Sequence, residues 1–280
     1  MIKALEQGVW INCSNSLNDK ELISHAAFLT TRCEYRAVVC ATKDKFEITQ
    51  ASYSIHRCPD MSKRREADIP ELIGASVMRD RVKAIRNLKD FDDGGKVKEL
   101  LTECIRGMIQ SETYLTSELG YKTREEYEIF WRSDKAGYCR SYGDEMPPID
   151  EWSIYIGAYE HIRVKNFYTK YKSYVILQEN EDEAVISGTY NDSFHEMHSE
   201  LTYNLASRNI TAFDMAVIRA PHQACYELSH TAAESFIGKP IDSFSKRETG
   251  KIIGGSSGCF HLVDIVYDMV SAAMELPNGK

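Results

Sequence analysis

The sequence predicts an α+β protein of two tandem modules, each a three-stranded antiparallel meander followed by two helices, with a helical, aromatic-rich connector between them. Three observations predict it. One segment occurs twice: Ile48-Thr49 and Ile210-Thr211 open, and Arg57-Cys58-Pro59 and Arg219-Ala220-Pro221 close, two runs related by a single offset, 210 − 48 = 162, with apolar residues alternating between. A helical stripe recurs with identical spacing, Val97, Leu100, Leu101, Cys104, Ile105 and Met108 against Leu262, Ile265, Val266, Met269, Val270 and Ala273. The length of 280 residues independently suggests about two domains. The duplication also acts as a filter, since residues a fold needs recur in both copies and residues a site needs survive in one. Histidine falls mainly in the second copy, and the helix-start residues His222, Cys225, Cys259 and His261 have Asp60, about Lys63, the Gly94 region and about Lys96 opposite them in the first.

The first module, residues 1–112, has a candidate strand over Val9 to Cys13 and an amphipathic helical pattern over Asn18 to Leu29. Glu34 to Ala41 and Phe46 to Arg57 read as a hairpin around Thr42-Lys43-Asp44-Lys45. A helix follows Cys58-Pro59 and is interrupted by Pro70 before Leu72, Ile73 and Gly74. Gly94-Gly95 then precede the striped helix.

Residues 113–172 form the connector: a charged amphipathic helix over Thr123 to Arg132, a Gly- and Pro-containing loop over Tyr138 to Asp150, an aromatic run over Trp152 to Tyr159, and a Lys- and Tyr-rich stretch over Val164 to Tyr174. Its aromatic content is too high for a free linker.

The second module, residues 173–280, alternates over Ala184 to Tyr190 and Phe194 to Asn204 around the turn Asn191-Asp192, with a third strand over Ile210 to Arg219. Pro221 suits a helix start; Ala224, Leu228, Ala232, Phe236 and Ile237 make a helical stripe, and Gly238 fits a left-handed C-terminal cap. The Gly- and Ser-rich loop Gly254 to Gly258 leads into the second striped helix.

Composition excludes several classes. With 43% hydrophobic residues the chain can fill two cores. A net charge of −8 argues against a nucleic-acid partner, and Lys63-Arg64-Arg65 with the basic residues Arg79 to Lys89 read as a solvated helix face. No apolar run reaches membrane-spanning length and Met1 to Gln7 lacks a signal-peptide core, so no membrane partner and a cytoplasmic address are expected. The eight cysteines show neither a paired scaffold nor CxxC, which predicts thiols.

The order strand, Ile210-Thr211, strand, Arg219-Ala220-Pro221-His222-Gln223-Ala224-Cys225, helix to Ile237-Gly238, then Gly258-Cys259-Phe260-His261-Leu262, resembles a bacterial domain-of-unknown-function family. That family is of the 2889 type and is distantly similar to the NifU, IscU and SufE scaffold and sulfur-acceptor fold. The resemblance spans about residues 173–275 and, more faintly, 30–110, and implies a SufE/NifU-like module. In the scaffold family, cluster ligands lie in a loop between the first strands and at the starts of the helix after the third strand and of the last long helix. The resemblance carries these onto Asp192 with nearby His195, onto His222 (Cys58 in the first copy), and onto Cys259 with Gly258 before it.

From spacing alone, His222 and Cys225 are three apart at one helix start and Cys259 and His261 begin another, so both pairs meet if the helix starts converge. Two nitrogens and two sulfurs suit tetrahedral zinc or soft iron, and helix starts lower thiol pKa values. The candidate metal set is His222, Cys225, Cys259, His261 and His195; His198 alternates to the other face and His230 is expected exposed. Packing roles compete, since cysteine is commonly buried.

The expected function is metal or sulfur handling. The alternative is a non-catalytic binding module for a small apolar or aromatic ligand or a protein partner in the inter-repeat groove, drawn from Trp131, Trp152, Tyr155, Tyr159, Phe167, Tyr168 and Tyr171. A third reading makes Cys225 or Cys259 the nucleophile of a hydrolase or transferase with a histidine base. A monomer with an internal pseudo-two-fold and a homodimer both remain open.

Overall fold

The structure, a computed structural model, describes residues 2–15, 20–59, 62–78, 81–89, 91, 95–143, 165–227 and 229–274. The chain divides into an N-terminal unit, Gly8–Glu126 with Ile156–Tyr171, and a C-terminal unit, Met1–Gln7 with Tyr127–Tyr155 and Lys172–Lys280. The aromatic run Trp152 to Tyr159 and the side chains of Leu228 and His230 lie outside the described residues. No described helix is long and apolar enough to cross a membrane.

After a first strand, β1 (Ile2–Asn15), the N-terminal unit contains β2 (Glu21–Thr30), β3 (Glu34–Thr42), β4 (Ile48–Arg57) and β5 (Arg65–Asp68), ordered β5-β4-β3-β2 in antiparallel pairs. Two expectations are corrected. From Glu21 on, the segment read as a helix over Asn18 to Leu29 is β2, because Leu22, Ser24, Ala26, Phe28 and Thr30 are buried at period two. The expected helix after Cys58-Pro59 is absent among the described residues; Arg65 to Asp68 instead form an edge strand with every side chain exposed, so the basic run belongs to a charged sheet edge, which discourages further strand pairing. Helices α1 (Arg81–Arg86) and α2 (Lys96–Ser111) follow, and α2 buries the predicted stripe.

The C-terminal unit has α3 (Arg124–Lys135, largely within it) and the order β6-β7-β8-β9, with β6 (Asn166–Gln178), β7 (Glu183–Asp192), β8 (Glu196–Asn204) and β9 (Ile210–Arg219). The sheet thus has four strands where three were expected. β6 escapes a hydrophobic reading because two of its inward positions are Lys170 and Lys172, both buried. Among the described residues, four α-helices rather than two come after β9: α4 (Gln223–Tyr226), α5 (Ser229–Glu234), α6 (Lys246–Ile253) and α7 (Phe260–Met274). The expected single middle helix is broken into α4 and α5, and Ile237, assigned to its buried stripe, is exposed. Gly238 does take the left-handed conformation, φ 79°. The core joins Tyr174, Met197, Leu201, Tyr203, Phe213 and Met215 of the sheet to Phe236, Leu262, Val266 and Met269.

Within each unit the pairing registers correspond at the same offset. Glu21 faces Thr42 and Glu183 faces Asn204; Glu34 faces Arg57 and Glu196 faces Arg219, each followed by a register shift. Phe46 and Arg208, 162 apart, are the two described non-glycine residues with positive φ.

Candidate functional site

The β7–β8 turn begins the site. Asp192 folds it, because its Oδ1 accepts hydrogen bonds from the backbone N–H of Phe194 (2.7 Å) and of His195 (2.6 Å), the local bonding that makes Asp a turn former. Oδ2 accepts the Tyr190 hydroxyl at 2.9 Å. The same fold brings the His195 Nδ1 to 3.1 Å from Oδ1. Arg219 closes the turn from β9, donating to the carbonyls of Asp192 (2.8 Å), Ser193 (3.3 Å) and His195 (3.1 Å). In the N-terminal unit Arg57 likewise donates to Thr30 and Thr31 carbonyls, and the Thr30 hydroxyl accepts from Arg32 and Cys33 N–H. The repeated arginine is therefore a turn clamp in both units, whereas a carboxylate and an imidazole occupy the turn in the C-terminal one.

With Nδ1 toward Asp192, the His195 ring also interacts, side chain to side chain, with the Cys225 thiol. Cys225 lies on the one-turn helix α4, which Tyr226 staples to the end of β9 through its hydroxyl, 2.9 Å from the Ala220 N–H. The sulfur also meets the Ser141 hydroxyl at 3.2 Å. Burial opposes charge on both partners, yet their neighbours shift each of them toward its charged form. For His195 the burial penalty is outweighed by the Asp192 carboxylate and then Cys225, raising the imidazole to about 9. For Cys225 burial is outweighed by hydrogen bonds from His195 and Ser141 and by the His195 charge, so the thiol falls below its usual value. Asp192, despite burial, is held well below the carboxylate range by His195.

The other expected residues surround this chain. His261, at the start of α7, stacks on His195 with ring centroids 3.9 Å apart and meets Tyr190 edge-on at 5.3 Å. His222 precedes α4, is buried, and sets its ring edge-on to Tyr142 at 5.7 Å; burial, then the charges of His195 and Arg132, push it down to about 4. Cys259 is buried before α7 with its N–H on the Ile253 carbonyl at 2.7 Å, and burial raises its thiol to about 12. Among the described residues, the donor atoms of Asp192, His195 and His261 all lie within 4.8 Å of one another. His222, Cys225 and Cys259 fall outside that group. His198 lies on β8 beyond the turn, half-buried, facing Thr189 and Ala216 in the ladder.

Sequence reasoning missed Ser141 and Tyr142, which come from a distant 3-10 turn (Arg140–Tyr142). It named Asp192 only as an occupant of a loop position; the Asp-x-x-His spacing in a hairpin turn was the available signal.

These features define an α+β domain with a buried carboxylate–imidazole–thiol chain. Residues 171–275, from within β6 to just past α7, match a family described as Protein of unknown function (DUF2889). No curated protein and no solved structure matches the chain.

Proposed function

We propose that the C-terminal unit is a sulfur-handling site in which Cys225 is the nucleophile, His195 its ion-pair and proton partner, and Asp192 the group that orients His195. The observation that carries this reading is the continuous chain from Asp192 through His195 to Cys225, built on one tight turn and one short helix. A thiolate paired with an imidazolium attacks electrophilic sulfur without waiting for a base. With a persulfide R–S–SH, the Cys225 thiolate bonds to the outer sulfur, the S–S bond breaks, and the leaving R–S⁻ takes the His195 proton, giving Cys225–S–SH and R–SH. Similarity to the NifU, IscU and SufE modules, and descent of both units from one duplicated ancestor, belong to the same reading. The shared registers and the two arginine clamps support the duplication.

A second reading is favoured by the three donor atoms within 4.8 Å: zinc or iron held by His195 and His261, with Asp192 as ligand or as the carboxylate that fixes the His195 ring. One experiment separates them. Iodoacetamide should alkylate Cys225 first among the cysteines at neutral pH, with a rate midpoint below that of an ordinary thiol, and His195→Ala should move that midpoint upward. An unreactive Cys225 in protein that carries stoichiometric zinc or iron by elemental analysis, released by His261→Ala, would favour the metal instead.

A further inference from the structure

β4 and β9 hold the same place in the two units, and their outer edges begin alike. The Ile48 N–H donates to the Ala75 carbonyl at 2.9 Å and the Ile48 carbonyl accepts from the Gly74 N–H at 2.8 Å; Ile210 does the same with Lys239 at 3.0 Å and Gly238 at 2.8 Å. Beyond that point the N-terminal unit adds β5. Its residues Arg65 to Asp68 pair with Ile55 to Ser52, and the Ile69 N–H donates to the Ala51 carbonyl at 2.8 Å. Backbone groups alternate sides along a strand, so Ala51, Tyr53 and Ile55 are the residues that bond outward to β5. Their counterparts at the 162-residue offset are Phe213, Met215 and Val217. After β9 the chain turns instead into α4 and α5, and among the described residues β9 ends its run of strands. The core side of β9 is filled, since Phe213 and Met215 join Ala232 and Phe236. Toward solvent, Asp214, Val217 and Ile218 are more exposed than their counterparts Ser52, Ile55 and His56.

The charge along this edge indicates what fits it. Glu200 lies directly opposite Asp214, both are exposed, and like charges so placed repel. The same rung of the N-terminal unit holds Val38 and Ser52, and there β5 itself brings the acid, Asp68, opposite Ser52. A strand added to β9 in the β5 register sets one side chain beside the two carboxylates, where lysine or arginine relieves the repulsion and an acid adds to it. On the same face of β9, Ala212 and Ile218 are exposed and Ala216 is half-buried, so apolar side chains suit the neighbouring rungs. β5, by contrast, ends its own run of strands in the exposed residues Arg65, Glu66, Ala67 and Asp68, a charged edge that discourages further pairing. We infer that the β9 edge receives an extended segment of a partner protein, carrying lysine or arginine opposite Asp214 and apolar residues around it, which adds to the sheet as β5 does within the chain. This surface is independent of the chemistry proposed at Cys225.

The probe is a short blocked peptide of alternating valine and threonine with a lysine at its centre, added to the full chain and followed by amide hydrogen exchange. It should slow exchange at Phe213, Met215 and Val217 severalfold and leave the β5 amides unchanged. A peptide N-methylated at the residues whose N–H would face β9 should protect far less, and so should one with glutamate in place of the lysine. Asp214→Asn, at an exposed position and with its melting temperature as the check on folding, should narrow the advantage of the lysine peptide over the glutamate peptide. Protection of those three amides in the protein alone, as strong as that of the central strand β8, means the edge is already covered and overturns the proposal. Equal binding of the N-methylated peptide also overturns it, since that is ion pairing without strand addition. A glutamate peptide that binds as well as the lysine one removes the basic partner.

Discussion

Burial at the site acts on each ionisable side chain separately, and neighbouring charges decide where each proton rests. His222 and His195 are both buried imidazoles, yet one is pushed down to about 4 and the other up to about 9, because burial and then the charges of His195 and Arg132 lower His222, whereas Asp192 beside His195 outweighs its burial. The consequences for stability have definite signs. Between pH 4 and 6.5 the unfolded chain binds a proton at His222 that the folded chain refuses, so stability should fall as pH drops through that window, by up to about 3 kcal/mol. Urea unfolding at several pH values checks this, and His222→Asn should flatten the acid limb. The His195 contribution is fully present below pH 6.5 and is lost as pH rises through about 9, while the lowered thiol of Cys225 acts in the opposite sense and offsets it. Cys225→Ser removes the offset, so its stability should decline more steeply than the parent's from pH 6.5 upward. Of this site, the histidines and cysteines at the two helix starts were visible as candidate residue types. Their electrostatic pairing was not, since it depends on which nitrogen faces which neighbour.

The elements that position the site are those with strong local signals. The hairpin turn signalled by Asn191-Asp192, which falls just after them at Ser193-Phe194, the Arg-x-Pro ends of β4 and β9, and the stripes of α2 and α7 are legible, because turn chemistry and 3.6-residue periodicity act over a few residues. Two of the misread elements, β2 and β6, share one cause: polar residues at inward positions. Ser24 and Thr30 in β2, and Lys170 and Lys172 in β6, break the alternation that marks a strand. The Gly- and Ser-rich loop before α7 is a close-packed turn. A Cβ at Gly258 would lie 2.2 Å from the Ile253 carbonyl oxygen, at a backbone φ of −124° that any residue tolerates, so the constraint is crowding and not conformation. Gly258→Ala should therefore destabilise by about 1–3 kcal/mol in chemical denaturation. It should also slow Cys225 alkylation, because the same carbonyl-bearing residue anchors Arg140.

At the level of the whole molecule, each unit contains a buried ion pair between β6 and its own long helix. Lys170 pairs with Glu103 of α2, and Lys172 pairs with Asp268 of α7, where the Tyr174 hydroxyl also donates to Asp268. Glu103 and Asp268 occupy the same place in the two recurring stripes, 268 − 103 = 165, which is the offset from Val97 to Leu262. Removing one member of such a pair strands a charge, so Lys172→Met should cost about 3–5 kcal/mol in urea unfolding, and the double variant Lys172→Met/Asp268→Leu should recover most of it. Hydrogen exchange on the single variant should show protection lost first in α7 and β6.

What the sequence determined by itself was the set of things written in short-range patterns: an α+β composition, the recurrence at 162 residues, the meander of β7, β8 and β9, and the half of the chain that holds most of the histidines. Only the tertiary structure decided that β6 is a fourth strand bearing buried lysines, that the middle helix breaks after α4, and that Asp192, His195 and Cys225 form one chain with Ser141 upon it. Those contacts join residues 84 and 30 positions apart, Ser141 to Cys225 and His195 to Cys225. Periodicity reports which face a residue takes on its own element; convergence of separate elements is set by packing, which no local pattern encodes.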